Sequence, residues 1–189
     1  GFGLLNIIAL PLWGEWLVVF VLLDLLMWAQ HLAMHHVPLL WRMHKVHHAD
    51  SELDVTTALR FHPFELIAST LYKSGCVVLL GAPAALALAF ELWLNLNAMF
   101  NHSNVALPRP VDRIIRWFIV TPDVHLVHHS RIEAEQRRNF GFALTLWDRM
   151  FGTYRSESQM GRGNQNIGLD DFTVEDARAF TKLMKVPFA

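Results

Sequence analysis

The sequence predicts an all-α protein: an integral membrane helical bundle that carries a histidine-rich helical cap facing the cytoplasm. Three observations lead to this fold class. Hydrophobic residues make up 53% of the 189 residues and charged residues only 17%, which is too apolar for a typical soluble domain. The longest apolar runs approach the length of membrane helices. The eleven histidines cluster at spacings of three and four residues, which place side chains on one face of a helix.

The first apolar run, about residues 11–30, predicts a membrane helix. Pro11 is compatible with the first turn of this helix, where its missing N–H costs nothing. Trp16 and Trp28 suit the two membrane interfaces, where an aromatic ring meets the lipid headgroups.

The second apolar block is divided by Gly81-Ala82-Pro83 into two arms, residues 66–81 and 83–100. These arms predict a helical hairpin in the membrane, or a re-entrant pair that does not fully cross it. The hairpin tip carries no charge, whereas nearly all lysines and arginines lie in the histidine-rich segments and the C-terminal third. The positive-inside rule therefore places the histidine clusters on the cytoplasmic side.

The remaining segments complete a single domain that spans residues 1–189. Residues 31–65 and 101–155 are more polar and predict the cap, and residues 156–189 predict a C-terminal tail. Within the cap, Val111–Thr121 predicts an amphipathic helix on the membrane surface, with Arg113 and Arg116 toward the headgroups.

Composition also excludes several classes of function. The net charge of −1 gives no indication of nucleic-acid binding. The single cysteine, Cys76, excludes a disulfide scaffold and a thiolate metal site. The glycine-rich stretch from Gly161 to Gly168 follows no predicted strand, which favours a loop over a nucleotide site.

The histidines form two HxxHH boxes, one HxxxH box that His36 follows directly, and two isolated residues. Imidazole is the commonest transition-metal ligand, and this many imidazoles exceed the needs of one ion, so the pattern predicts a two-metal site. Adjacent histidines of one box point in different directions and are able to bind different metals. The candidate ligands are His31, His35, His44, His47, His48, His62, His102, His125, His128 and His129. A lone histidine such as His62 or His102 is more often an ordinary polar residue than a ligand, and His36 faces away from the His31/His35 pair.

Several stretches resemble the fatty acid hydroxylase/sterol desaturase superfamily of integral-membrane, non-haem di-iron oxygenases. In order they are Asp24 to His35, Leu40-Trp-Arg-Met-His44-Lys-Val-His47-His48, Arg60-Phe-His62-Pro63-Phe-Glu65, Asn101-His102-Ser103-Asn104, Thr121 to His129, Asn139-Phe-Gly141 and Leu146 to Thr153. The departures are Met27, Leu32, Arg137 and Phe140, which leave the ligand set intact. The resemblance covers about residues 16–155.

The resemblance implies dioxygen-dependent hydroxylation, or desaturation, of a C–H bond in a membrane lipid such as a sterol or fatty acyl chain. The cofactors would be two iron ions, with zinc as the alternative in purified protein, and dioxygen would be the co-substrate. A lipid substrate within the bilayer and a separate electron donor (a ferredoxin, rubredoxin, cytochrome or reductase) would be the partners. Four side chains are candidates for orienting the imidazoles: Asp24, Asn104, Asn139 and Asp148.

Other readings of the histidine pattern stay open at this point. A zinc-dependent membrane hydrolase needs a general base, and no HExxH box occurs. A catalytically inactive metal-binding relative would keep the ligands without the activity. A haem electron-transfer protein would place its histidines deep within helices, not in boxes at their ends.

Overall fold

The computed structural model describes residues 2–161 and 166–188. Within them the chain is helical, and the β pairing consists of two isolated bridges, Ile119 with Leu144 and Ser130 with Ile167. The α-helices are α1 (Leu12–His36), α2 (Pro38–His48), α3 (Pro63–Leu80), α4 (Ala84–Asn101), α5 (Arg109–Ile115), α6 (Pro122–His128), α7 (Glu133–Gln136), α8 (Leu146–Met150), α9 (Val174–Arg178) and α10 (Phe180–Leu183). Short 3-10 helices lie at Leu4–Asn6, Val55–Leu59 and Val186–Phe188. The glycine-rich loop predicted at 161–168 lies largely outside the described residues.

The first helix is longer than the sequence predicts. The prediction ended near residue 30, whereas α1 continues without a break to His36 and carries His31 and His35 on its last turns. A change of direction at Val37 then starts α2, with Pro38 at its first position, where a proline is tolerated. The continuous helix joins the apolar segment rigidly to the first histidine box.

The predicted hairpin forms at the predicted turn. Helix α3 begins at Pro63, slightly before the predicted arm, and ends at Leu80. It is capped by Gly81, whose φ of 68° is the left-handed conformation that glycine adopts without cost. Pro83 precedes α4. Helices α3 and α4 both pack against α1, and their shared apolar core contains Leu23, Leu80 and Phe90.

Two helices, α1 and α3, are long and apolar enough to cross a membrane by length and composition. Many apolar side chains of α3 face outward, including Leu71 and Leu79 at 68% and 67% exposure, as expected of a surface in contact with lipid. Helix α4 does not pass the same test. Glu91 and its asparagines lower its apolar character, and its crossing of the membrane stays a prediction.

The cap differs in detail from its predicted form. The amphipathic helix predicted over Val111–Thr121 is limited to α5, Arg109–Ile115, after which the chain turns and pairs Ile119 with Leu144. Helix α6 then packs against α4, and α2 packs against α1 and α3. The histidine-bearing helix ends thereby meet in one region at the end of α1.

Candidate metal centre

The first group of buried histidines joins three helices. Helix α1 supplies His31 and His35, α2 supplies His44 and His48, and α6 supplies His128. Their candidate ligand atoms all lie within 4.8 Å of one another. Each of the five side chains is buried, so these imidazoles face each other and not solvent.

The second group lies beside the first and contains His47, His102, His125 and His129. The Nε2 atoms of His102 and His47 are 3.1 Å apart, those of His125 and His102 are 3.0 Å apart, and those of His129 and His125 are 3.2 Å apart. The two groups meet where the rings of His48 and His129 stack at a centroid distance of 4.4 Å.

Helices α2 and α6 each contribute to both groups. The i and i+4 residues His44 and His48 belong to the first group, while His47 between them belongs to the second. In α6 and its C-cap residue His129 the division is reversed, because His125 and His129 belong to the second group and His128 to the first. The angular offset of adjacent residues on a helix explains this division.

The nitrogen positions fit a pair of transition-metal ions. Two imidazole nitrogens bound at about 2.1 Å to one ion, at angles of 90–110°, lie about 3.0–3.4 Å apart, which matches the observed Nε2 separations in the second group. In the first group the Nε2 atoms of His31, His35, His44 and His128 are buried without a hydrogen-bond partner. Buried polar atoms rarely lack a partner, and a bound ion would be the missing partner of these four nitrogens.

The histidines are electrically suited to this role. Burial, reinforced by the neighbouring histidines, lowers the pKa of His47, His48, His125 and His129 well below the usual value. Burial lowers the pKa of His128 to about 3 and that of His102 to about 4. These imidazoles are therefore neutral at pH 7, which is the form that binds a metal.

In four of the candidate ligands, the second ring nitrogen lies beside a hydrogen-bond acceptor. The Nδ1 atoms of His31, His44, His102 and His128 lie 2.8, 2.6, 2.7 and 2.7 Å from Phe140 O, Glu65 Oε1, Ala98 O and Arg138 O. An Nδ1–H that donates to such an oxygen fixes the tautomer and leaves Nε2 free toward the ion.

Two of the four predicted orienting residues act through the backbone. Asn139 has a φ of 54°, a left-handed conformation that asparagine tolerates, and its neighbours present the two carbonyls used by His31 and His128. The Asn139 side chain donates to Val124 O and Arg155 O. Asp148 accepts the backbone N–H groups of Phe140 and Gly141 and the Nε1–H of Trp28. Both residues hold this loop in place.

The other two predicted residues lie elsewhere. The Asp24 carboxylate accepts the Nε1–H of Trp147 at 2.8 Å, which joins α1 to α8 and leaves the histidines untouched. Asn104 is exposed, whereas its neighbour Asn101 is buried and donates to Phe142 O. The residue that sequence reasoning missed is Glu65, the carboxylate beside His44. Its place in the Arg60–Glu65 stretch was the available signal.

Two histidines lie outside both groups. His62 is the N-cap of α3: its Nδ1 accepts the N–H of Phe64, and its Nε2 lies 3.3 Å from Met184 O. The structure therefore uses this candidate ligand as a helix cap. His36 is exposed, and its Nδ1 lies 2.8 Å from Leu32 O, in agreement with its predicted orientation away from the His31/His35 pair.

An apolar cavity of about 240 Å³ lies beside the histidine groups, although no histidine lines it. It lies between α1, α3 and α4, and Phe61 and Phe142 in its wall contact the rings of His47 and His31 at centroid distances of 4.7 and 4.9 Å. Farther along, the cavity is lined by Lys73 and Glu91, whose charged groups are 2.6 Å apart.

Fold and site together define a class: proteins of apolar helices with two adjacent groups of buried histidines, each of which could hold a metal ion. The chain belongs to the fatty acid hydroxylase family, whose model matches residues 16–153. This confirms the resemblance drawn from the histidine boxes.

Three similar proteins have names that describe lipid oxidation. The chain is 31% identical to an ornithine lipid hydroxylase (OlsE) of Rhizobium tropici over 85% of this chain and 46% of the relative. It is 30% identical to an alkylglycerol monooxygenase of Danio rerio, over 77% and 31%, and 30% identical to a cholesterol 25-hydroxylase of Rattus norvegicus, over 74% and 46%. The chain thus spans less than half the length of these relatives. No solved structure matches it.

Proposed function

We propose that this chain hydroxylates, or desaturates, a C–H bond of a membrane lipid with dioxygen at two iron ions. The observation that carries the proposal is the pair of adjacent groups of buried histidines. The names of the relatives support oxidation of a lipid, and their diversity leaves sterols, fatty acyl chains and related lipids as the substrate class.

Nine histidines would hold the two ions. One ion would bind to His31, His35, His44, His48 and His128, and the other to His47, His102, His125 and His129. An all-imidazole set suits iron and also zinc, so purified protein is able to carry zinc in its place. When bound, the two irons supply the redox chemistry that dioxygen activation and C–H cleavage require, which no amino-acid side chain provides.

The protein's own residues position the ligands and the substrate. Glu65 and the carbonyls of Phe140, Arg138 and Ala98 hold four imidazoles with Nε2 toward the ions. Phe61 and Phe142 cover rings of the two groups and keep water away. A lipid chain would reach the site through the apolar cavity between the membrane helices.

The reaction needs electrons from a partner. Hydroxylation places one oxygen atom of dioxygen in the product and reduces the other to water, which consumes two electrons and two protons. A separate electron donor (a ferredoxin, rubredoxin, cytochrome or reductase) would supply them. The distribution of lysine and arginine favours a cytoplasmic position for the histidine end, where such a donor is accessible.

Metal analysis combined with isotope labelling tests the proposal. We expect detergent-purified protein from cells grown with iron-57 to contain about two irons per chain, with the Mössbauer spectrum of a coupled pair. Lipid extracts from cells grown in ¹⁸O₂ should contain, only when the protein is present, a lipid that gains one labelled oxygen on hydroxylation or one double bond without label on desaturation. His44→Ala should abolish both signals.

His62→Ala is the matched control, because it removes a buried histidine that lies in neither group. It should keep the iron and the labelled product, and lose only the stability of a helix cap, about 1 kcal/mol. Protein that binds one or two zincs, takes up no iron and produces no oxidised lipid would overturn the proposal.

A further inference from the structure

A basic pocket lies on the cap, away from the histidines. It has a volume of about 370 Å³ and contains four arginines and two carboxylates. Its lining residues are Arg109, Asp112, Arg113, Arg116, Trp117, Arg149, Tyr154, Ser156 and Glu157. None of them belongs to the metal centre, and the proposed reaction does not use them.

Two of the arginines form the rigid floor of the pocket. The Arg149 guanidinium lies 4.2 Å from the ring centre of Trp117 and 3.8 Å from that of Tyr154, and it donates to Arg116 O. Arg116 is paired with the buried carboxylate of Asp112. These contacts fix both guanidinium groups before any ligand binds.

The pocket contains more donors than acceptors. Arg109 and Arg113 are exposed and form no ion pair within the described residues. The Nε atoms of Arg116 and Arg149 and the hydroxyl of Tyr154 are buried without a hydrogen-bond partner. Asp112 is already committed to Arg116. An anion with several oxygens is the ligand that this surplus of positive charge and donors fits.

Exposed apolar residues lie next to the arginines in sequence and form an apolar rim, and a neighbouring segment contacts the candidate membrane span α1. Ile114, Trp117 and Phe118 are exposed at 65%, 64% and 69%. The neighbouring segment 146–151 is attached to α1 by the stacking of Phe151 on Trp28, at a centroid distance of 4.7 Å. This apolar rim contains a tryptophan and lies next to arginines. Such a combination is typical of a protein surface at the level of the lipid headgroups.

We propose that this pocket binds the phosphate of an anionic membrane lipid. Arg109 and Arg113 would contact the phosphate oxygens over the floor formed by Arg116 and Arg149, while the acyl chains would lie along Ile114 and Phe118. The bound lipid holds the cap at the bilayer surface. The apolar rim would contact the acyl chains, which favours a lipid over a free anion.

Native mass spectrometry of the full chain with defined lipids tests the proposal. Four ligands are compared: dioleoyl phosphatidylglycerol, dioleoyl phosphatidylcholine, dioleoylglycerol and inorganic phosphate. Phosphatidylglycerol should bind tightly to the wild type and about 30-fold more weakly to the double variant Arg109→Ala/Arg113→Ala, because each basic residue near an anionic lipid contributes about fivefold. The variant should remain folded, since both side chains are exposed and unpaired.

The control is the double variant Arg137→Ala/Arg178→Ala, which removes two exposed arginines outside the pocket. It should bind phosphatidylglycerol as the wild type does. Equal affinity for phosphatidylcholine and phosphatidylglycerol would overturn the proposal, as would equal losses in the two double variants. Tight binding of inorganic phosphate, without tight binding of phosphatidylglycerol, would show that the pocket binds a free anion and not a lipid. Binding of an acidic ferredoxin that depends on Arg109 and Arg113, with no preference for anionic lipid, would assign the pocket to a protein.

Discussion

At the scale of single residues, the site depends on the two nitrogens of imidazole. One nitrogen would bind the proposed ion, and in four of the candidate ligands the other lies against an oxygen of the protein. Three of these acceptors are backbone carbonyls, and only His44 has a carboxylate, Glu65. A carboxylate raises the basicity of the imidazole more than a carbonyl does, so His44 is the ligand most strongly tuned by its partner.

Replacing Glu65 should therefore weaken metal binding without unfolding the protein. Glu65→Leu leaves the Nδ1–H of His44 without an acceptor, and we expect a 10- to 100-fold loss of iron affinity, as is typical for such partners. Glu65→Gln keeps an acceptor oxygen and should lose less. Iron content after dialysis against graded chelator measures both, with the exposed Glu175→Gln as control. Equal iron retention by Glu65→Leu and the control would contradict this role.

Acid should destabilise the metal-free protein. Burial holds the pKa of His128 near 3, whereas the unfolded chain titrates near 6.5. Below pH 6.5 the unfolded state binds more protons than the folded state. The free energy of unfolding therefore decreases as the pH is lowered. Between about pH 6.5 and 5 the loss is about 2 kcal/mol for His128 alone.

Melting temperatures of metal-free protein in detergent, measured from about pH 7.5 to 4.5, test this effect. The exposed His36 serves as the control, because His36→Gln should leave the profile unchanged. A melting temperature that stays constant between about pH 7 and 5 would contradict the buried, neutral state of these histidines.

At the scale of elements, the loop between α7 and α8 is as important as the helices that carry the ligands. Its residues 138–140 supply the carbonyls that meet His128 and His31, although the loop contributes no ligand. Asp148 at the start of α8 holds the loop through the N–H groups of Phe140 and Gly141. The loop is tight because Gly141 passes close to Leu144 O.

Gly141→Ala should disturb this loop. A Cβ at this position would lie 2.5 Å from Leu144 O and 3.1 Å from Asp148 Oδ2, and overpacking of this kind costs about 1–3 kcal/mol. We expect a lower melting temperature together with reduced iron content, because the Phe140 carbonyl moves away from His31. Gly75→Ala is the control: nothing lies within 4 Å of its added Cβ, and alanine is favoured in a helix. Normal iron content in Gly141→Ala would show that the loop does not orient His31.

At the scale of the whole molecule, the apolar helices and the metal centre have a fixed relation. Helix α1 is one continuous element from its apolar segment to His35, and α3 and α4 pack beside it. The cavity extends from Phe61 and Phe142 at the metal centre toward Lys73 and Glu91 in the hairpin. A lipid chain within this cavity would lie along the helices with one end at the histidines.

Cysteine labelling tests the predicted orientation. In a Cys76→Ser background, Ala85→Cys lies next to the hairpin tip and Glu175→Cys lies in α9, and both positions are exposed. An impermeant maleimide applied to intact cells should label Ala85→Cys, and should label Glu175→Cys only after lysis. Labelling of Glu175→Cys in intact cells would show that the protein has the opposite orientation in the membrane.

The sequence by itself determined the helical fold class, the hairpin turn at Gly81 and the histidine boxes, because apolar run length, glycine and proline positions and i, i+4 spacing act within one element. Only the tertiary structure decided how the histidines divide into two groups, why His62 caps a helix, and which partners orient the ligands. His31 lies against the carbonyl of Phe140, which is 109 residues away along the chain, and His44 in α2 lies against the carboxylate of Glu65 in α3. Spacing along a helix specifies the angle of a side chain about its own axis, whereas the neighbour that it meets depends on how separate elements pack.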